Sequence, residues 1–296
     1  YIHFARLSKS LYLKKKYKIP FPFRIIRWLY PIVESIFPKL AHWYFMRFFF
    51  SPLRYRFTSK EKKAATYATH ITLPTASANI HVYQWGNPAH PYVLLMHGWS
   101  GRALQFRRFI KPLVQNGYKV LAFDGPAHGR SSGKRTNLIA FEEALHKIYD
   151  TYGVPHAVVA HSFGGSAILF AAMNGMPVSR LITIATPSIS DEIIKNYTRA
   201  LQASPKTVDY FKKYFQSTYH KSFDEFSALH FINHLPSSIN WLIIQDEHDR
   251  EVTLKHALAM HNAYPAATSY TTTGLGHTRI LKDDQVINKC ISFINA

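Results

Sequence analysis

The chain has 296 residues, enough for one large α/β domain with an appendage, and 47% of them are hydrophobic, which excludes a disordered or collagen-like chain. Its single cysteine, Cys290, excludes an internal disulfide framework and fits a reducing compartment. The formal net charge of +19 is uneven: residues 1–63 hold 15 Lys/Arg against two acids, Glu34 and Glu61, or +13, and the remainder holds 21 against 15, or +6. The basicity therefore belongs mainly to an N-terminal extension, either as a solvated lysine-rich face or as a match for an anionic membrane surface. Nucleic acid is not expected, because no recognition motif accompanies the charge. The first residue is Tyr1 rather than Met, which leaves open a preceding segment and any targeting signal in it.

The extension, 1–63, is dense in aromatics from Phe21 to Phe50. Apolar residues at 25, 28, 29, 32, 33, 36, 37 and 40 have the spacing of one helical face, with Arg24, Arg27, Glu34 and Lys39 off it. Pro31 and Pro38 are expected to kink or split the helix. No uncharged apolar run is long enough to span a bilayer, so short amphipathic helices are predicted. Two destinations fit their apolar face. It packs on the body of the chain or a second subunit, or it lies in a membrane interface with Lys14, Lys15, Lys16 and Lys18 meeting anionic lipid.

After a polar stretch at 59–63, strands are predicted at Thr66 to Leu73 and Asn79 to Trp85 as a hairpin, then at Tyr92 to Met96. A helix is expected from about Ala103 to Gln115, a strand from Lys119 to Phe123, and a helix over 138–150. Ala157 to Ala160 reads as a strand entering a sharp turn at Ser162, followed by a helix-compatible run. Further strands are expected at Leu181 to Ala185, Trp241 to Ile244 and Ser269 to Thr271, with helices from Leu254 to Asn262 and Gln285 to Asn295. Alternation of this kind implies a mostly parallel sheet covered by helices on both faces. Residues 188–236 break the alternation with helical pieces, Asp191 to Gln202 and Thr207 to Gln216, and read as a small helical cap on the ligand-binding side. The domains are therefore expected as the extension 1–63 and a body 64–296 carrying that cap.

Four segments carry chemistry. Ala160-His-Ser-Phe-Gly-Gly165 puts Ser162 at the apex of a strand–turn–helix, where a hydroxyl is exposed and aimed at a base, although Ala160 stands where the strict pattern has glycine. Gln245-Asp-Glu-His-Asp249 places two acids past a strand, and Gly274-Leu-Gly-His277 places a histidine in a glycine-rich loop after the last strand. Met96-His-Gly-Trp-Ser100 is a glycine loop after an early strand. The order Ser, Asp, His is that of a nucleophile–acid–base triad on an α/β sheet.

On HGWSGR (97–102), FDGPAHGRSSG (123–133), AHSFGG (160–165), QDEHDREV (245–252) and GLGHTRIL (274–281), the chain resembles the α/β-hydrolase superfamily over roughly residues 66–296. Within it the likeness is to small capped bacterial serine hydrolases of the esterase/lipase type. The resemblance implies Ser162 as nucleophile, His277 as base and Asp249 as the acid that orients it, with Asp246 as the alternative. It implies an oxyanion site from the backbone N–H groups of Phe163 and Trp99, with the Trp99 side chain either walling the acyl pocket or simply packing. His97 and His161 are expected to brace their loops, and His128 to be structural. None of these or His248 has zinc-ligand spacing, and no phosphate-binding glycine loop occurs, so no metal and no cofactor are expected.

The expected reaction is hydrolysis of a carboxylic ester with a hydrophobic acyl group, through an acyl-enzyme on Ser162. An aminopeptidase, for which Asp191, Glu192, Asp224 and Glu225 offer acids in the cap, and a thioesterase or acyltransferase use the same triad. Dehalogenase and epoxide-hydrolase chemistry is disfavoured, since those relatives place Asp where Ser162 stands. A non-catalytic binding protein on the same fold is the rival of a different class. The expected location is cytoplasmic, with peripheral contact at the inner face of the membrane.

Overall fold

The computed structural model describes residues 21–296, with side chains from residue 24 onward, so the expectation for Lys14, Lys15, Lys16 and Lys18 falls outside the described residues. Eight strands form one sheet: β1 (Thr69–Pro74), β2 (Asn79–Trp85), β3 (Tyr92–Met96), β4 (Lys119–Asp124), β5 (Ala157–His161), β6 (Arg180–Ile184), β7 (Asn240–Asp246) and β8 (Thr268–Thr272). Their spatial order is β1-β2-β4-β3-β5-β6-β7-β8. β1 and β2 are an antiparallel hairpin with β2 also antiparallel to β4, and every pairing from β4 to β8 is parallel. The central runs Tyr92–Met96 and Ala157–His161 are buried at every position, as strands covered on both faces require.

The helices are α1 (Phe21–Ile36), α2 (Pro38–Phe50), α3 (Ser59–Thr66), α4 (Arg107–Gln115), α5 (Leu138–Tyr152), α6 (Phe163–Met173), α7 (Ser190–Leu201), α8 (Pro205–Tyr219), α9 (Ala228–Ile232), α10 (Leu254–Ala263), α11 (Gly276–Arg279) and α12 (Asp284–Asn295). α5, α6, α9 and α10 cover one face of the sheet, packing Phe141, Leu145, Ile168, Phe231 and Met260 on Leu94, Phe123, Val158 and Trp241. α4 and α12 cover the other, packing Phe109, Leu113, Ile287 and Ile291 on Val93, Val120, Val159 and Leu242.

α3 was not expected. Thr58 accepts the Glu61 N–H (3.3 Å) and the Glu61 carboxylate accepts the Thr58 N–H (2.8 Å), a reciprocal cap that starts a helix in what reads as a polar stretch. That helix runs to Thr66, so β1 begins at Thr69 rather than Thr66.

The extension differs more. α1 runs through Pro31 without a break, forgoing only the bond to the Arg27 carbonyl, whereas Pro38 does split the segment by opening α2. α1 and α2 pack on the helices between β6 and β7, joining Tyr30, Ala41 and Phe45 to Ile194, Phe211 and Phe215 in a third apolar cluster. The side used is not the predicted one. Trp28, Ile36 and Phe37 stay 68%, 62% and 60% exposed, while Tyr30 and Glu34 are buried.

Hydrogen bonding explains the choice. Glu34 Oε2 accepts the N–H of Ser204, the residue before α8, and Oε1 accepts the Ser204 hydroxyl (2.6 Å) and the Thr207 hydroxyl (2.5 Å). A carboxylate at a helix N-terminus also meets the positive end of the helix dipole. Burial alone would raise the Glu34 carboxyl, but the bonds from Ser204 and Thr207 outweigh it and hold it below the usual carboxylate range. The stabilisation is therefore complete above about pH 4.3, the ordinary value, and is lost as pH falls through the lowered one. Glu34→Gln is expected to lower stability by about 1.5–3 kcal/mol at pH 7. Denaturation of both proteins at pH 7 and pH 3 checks this: the gap should close in acid, and an equal gap at both values contradicts the assignment.

Candidate active site

β5 ends at His161 and α6 begins at Phe163, leaving Ser162 alone at the turn with φ +53° and ψ −124°. Positive φ in a non-glycine residue is strained by about 1–3 kcal/mol and persists only where neighbours hold it. The Ser162 N–H is fixed on the Ile184 carbonyl (2.9 Å), and the surroundings leave room for nothing larger. A Cβ on Gly164 would lie 2.6 Å from the His97 carbonyl oxygen, and one on Gly98 would lie 2.7 Å from the Ser162 Cβ. Both glycines are therefore close-approach positions. The turn thus turns the hydroxyl out from the sheet edge.

That hydroxyl is 3.1 Å from His277 Nε2, and His277 Nδ1 is 2.7 Å from Asp249 Oδ2. Asp249 is buried, and its other oxygen accepts the N–H groups of Glu251 (2.8 Å) and Val252 (3.0 Å). Burial would raise the Asp249 carboxyl, but the hydrogen bond and charge of His277 with these N–H donors hold it below its ordinary value. Burial would lower His277, and the Asp249 hydrogen bond and charge reverse this and hold it above its ordinary value. The Glu251 carboxylate lies 4.0 Å from His277 Nε2.

Asp246 does not touch His277. It accepts the N–H groups of Leu275 and Gly276 (both 2.9 Å) and of His248 (3.0 Å), and the Thr272 hydroxyl (2.8 Å). It clamps the loop that carries His277 and caps its own turn through the His248 N–H.

The glycine loop is held by two neutral histidines. The Gly125 N–H donates to His97 Nε2 (2.8 Å), so Nδ1–H donates to the Gly98 carbonyl (2.7 Å). The Ser100 N–H donates to His128 Nε2 (3.0 Å), so Nδ1–H donates to the Pro126 carbonyl (2.9 Å). Burial pushes His97 down to about 4 and His128 to about 3, which keeps both unprotonated and able to accept. His161 is lowered to about 3 by burial, and its Nε2 contacts the His277 carbonyl (2.9 Å). His248 is exposed. The N–H groups of Trp99 and Phe163 have no acceptor among the described residues, and Phe163 lies in the first turn of α6, where N–H groups lack an intrahelical partner. The rings of Trp99 and Phe163 meet edge to face at 5.2 Å.

Three supporting residues escape the sequence reading. Asp124 accepts the N–H groups of Ala103 (2.8 Å) and Arg130 (2.7 Å), tying together the loops after β3 and β4. Gln245 donates to the Val252 carbonyl (2.9 Å) behind Asp249. His256, on α10, accepts the N–H groups of Ser188 (2.9 Å) and Ile189 (3.1 Å) at the root of α7. The FDG and QD motifs flag the first two positions, but a lone histidine on a helix gives no such signal.

Ser162 and His277 open into a cavity of about 630 Å³. Its walls come from Trp99 and Phe163, from Tyr197, Phe215, Tyr219, Phe223 and Phe226 of the insert, and from Phe49 and Phe50 of α2. Arg27, Arg199 and Arg250 also line it, and their guanidinium groups make no ion pair or hydrogen bond among the described residues. The four cap acids do not line it. Asp191 pairs with Lys212 and Glu192 with Lys195, Asp224 accepts the Ser190 hydroxyl, and Glu225 caps Ser222. Among the described residues no cluster of three or more potential metal ligands occurs.

The sequence model of the α/β hydrolase fold matches residues 91–228. An uncharacterized hydrolase of Bacillus subtilis, YugF, is 31% identical over 99 residues, 32% of this chain and 36% of that protein. A human serine hydrolase-like protein is 29% identical over 134 residues, 43% of this chain and 65% of that protein. The chain thus spans less than two thirds of the length of these curated relatives. Among solved structures, an esterase of Pyrococcus furiosus superposes with a TM-score of 0.64 at 18% identity, over 82% of this chain and 98% of that one. A bacterial membrane phospholipase A does so at 0.61 and 16%, over 79% and 88%. With the order of its motifs, the sheet they sit on and the matched sequence model in agreement, the chain has the α/β-hydrolase fold.

Proposed function

We propose that this protein hydrolyses carboxylic esters with a hydrophobic acyl group through an acyl-enzyme on Ser162. The observation that carries the reading is the hydrogen-bonded chain from Ser162 through His277 to Asp249, opening into an aromatic-walled cavity. His277 Nε2 takes the hydroxyl proton as Ser162 Oγ bonds to the ester carbonyl carbon. The carbonyl oxygen becomes an oxyanion and accepts the N–H groups of Phe163 and Trp99, each worth roughly 3–4 kcal/mol in the transition state. The carbon–alkoxy bond then breaks and the proton passes from His277 to the leaving alcohol. Water repeats the sequence and frees the acid. Asp249 keeps the proton on Nδ1 and stabilises the imidazolium.

The cavity volume falls in the range of small-molecule sites. Its unpaired arginines argue against a substrate amine, and the four cap acids that an aminopeptidase needs are engaged elsewhere. A panel of p-nitrophenyl esters of graded length, acyl-CoAs and aminoacyl anilides tests the proposal. Each added acyl methylene is expected to raise kcat/KM about fourfold until the cavity fills, from ~0.8 kcal/mol per buried methylene. Preference for an aminoacyl anilide would overturn it.

A further inference from the structure

α1 and α2 leave a face that none of the described residues covers. On α1 it consists of Ile25, Trp28, Leu29, Ile32 and Ile36, at the spacing of one helical stripe, and Phe37, Leu40, Trp43 and Tyr44 continue it onto α2. Hydrophobic side chains this large and this contiguous are unusual on a soluble surface and mark an interaction site. The charges around them have one sign. Arg24, Lys39 and Arg47 are exposed, and the lone acid of the two helices, Glu34, is turned inward onto Ser204 and Thr207. Residues 1–20 add six Lys/Arg and no acid.

We propose that this face docks on an anionic lipid bilayer. Charge decides between the possible occupants. A second copy would set one +13 segment against another, and like charges so placed repel. An anionic lipid surface complements every exposed charge on the two helices, and each cation close to it strengthens attachment about fivefold. Tryptophan and tyrosine rings are the side chains that settle at the level of lipid headgroups. Among the described residues no helix is long and apolar enough to cross a membrane, so the helices lie along the surface.

The same two helices supply Arg27, Phe49 and Phe50 to the cavity wall. Docking therefore brings the cavity to the bilayer, where acyl esters are concentrated; this consequence, unlike the docking, rests on the hydrolase reading above.

Flotation of the full chain with vesicles of phosphatidylcholine, alone or with about one third phosphatidylglycerol, tests the proposal. Binding is expected to the anionic vesicles only, weakening as salt screens the attraction. Trp28→Ser/Ile32→Ser/Ile36→Ser should lose more than about tenfold in binding, and Arg24→Glu/Lys39→Glu/Arg47→Glu should lose the preference for anionic lipid. Fluorophosphonate labelling of Ser162 in solution should be unchanged in the first variant, which separates failure of docking from failure of the active-site assignment. The proposal is overturned if the intact chain does not bind, or if the apolar variant binds like the original. It is equally overturned if that variant instead dissociates a dimer detected by light scattering.

Discussion

Ser162→Ala is expected to lower kcat by roughly 10⁴- to 10⁶-fold and to abolish labelling by a fluorophosphonate, while leaving stability unchanged. The size follows from the cooperation of Ser162 with His277: once the nucleophile is gone, the base 3.1 Å away has no proton to take. What survives is binding and oxyanion stabilisation of attack by water. Stability stays because alanine keeps the same Cβ at the same positive φ, and the Ser162 N–H bond to Ile184 does not involve the hydroxyl. Ser162→Gly separates strain from chemistry. It should be equally inactive yet melt higher, since glycine adopts φ +53° without strain. Thermal denaturation beside steady-state kinetics reads both effects, and an active Ser162→Ala enzyme would contradict the assignment.

Asp249→Asn should lower kcat by ~10⁴-fold, whereas Asp246→Asn should lose about tenfold to a hundredfold. Asparagine at 249 has the shape of the acid but no charge, so it neither fixes the Nδ1–H tautomer nor stabilises imidazolium. Asparagine at 246 loosens the Leu275–Gly276 backbone without touching the imidazole. The pH profile distinguishes the two. His277 accepts a proton only when neutral, and Asp249 holds it above the ordinary histidine value of about 6.5. The rate should thus rise with pH through a value above 6.5. In Asp249→Asn only the more distant Glu251 carboxylate still opposes burial and the limb should move to lower pH, whereas in Asp246→Asn it should stay. Equal losses with equal pH profiles would contradict the division of roles.

The sheet was legible because its strands are short apolar runs ending in turn residues, and the site because each motif sits at a strand end. Two kinds of feature were not. Thr58-Ser-Lys-Glu61 carries a capping signal, but its lysines and polarity mask it as a loop, and α3 went unread. The extension misleads in the opposite sense. Its periodicity marks a real apolar face, yet the chain buries the adjoining side, because Glu34 and Tyr30 find partners on α8 that Trp28 and Ile36 cannot replace. Hydrophobic spacing reports that a face needs cover without saying whether the cover is the same chain. Of the two acids in Gln245-Asp-Glu-His-Asp249, the sequence offers both for the base. Geometry separates them, since only Asp249 folds back to His277 and Asp246 reaches the loop backbone.

The most direct test of the central claim is to quench turnover of a p-nitrophenyl ester in acid within milliseconds and map the protein by mass spectrometry. An acyl adduct is expected on the peptide containing Ser162 and absent in Ser162→Ala. Turnover without an adduct, or an adduct on any other residue, would contradict it.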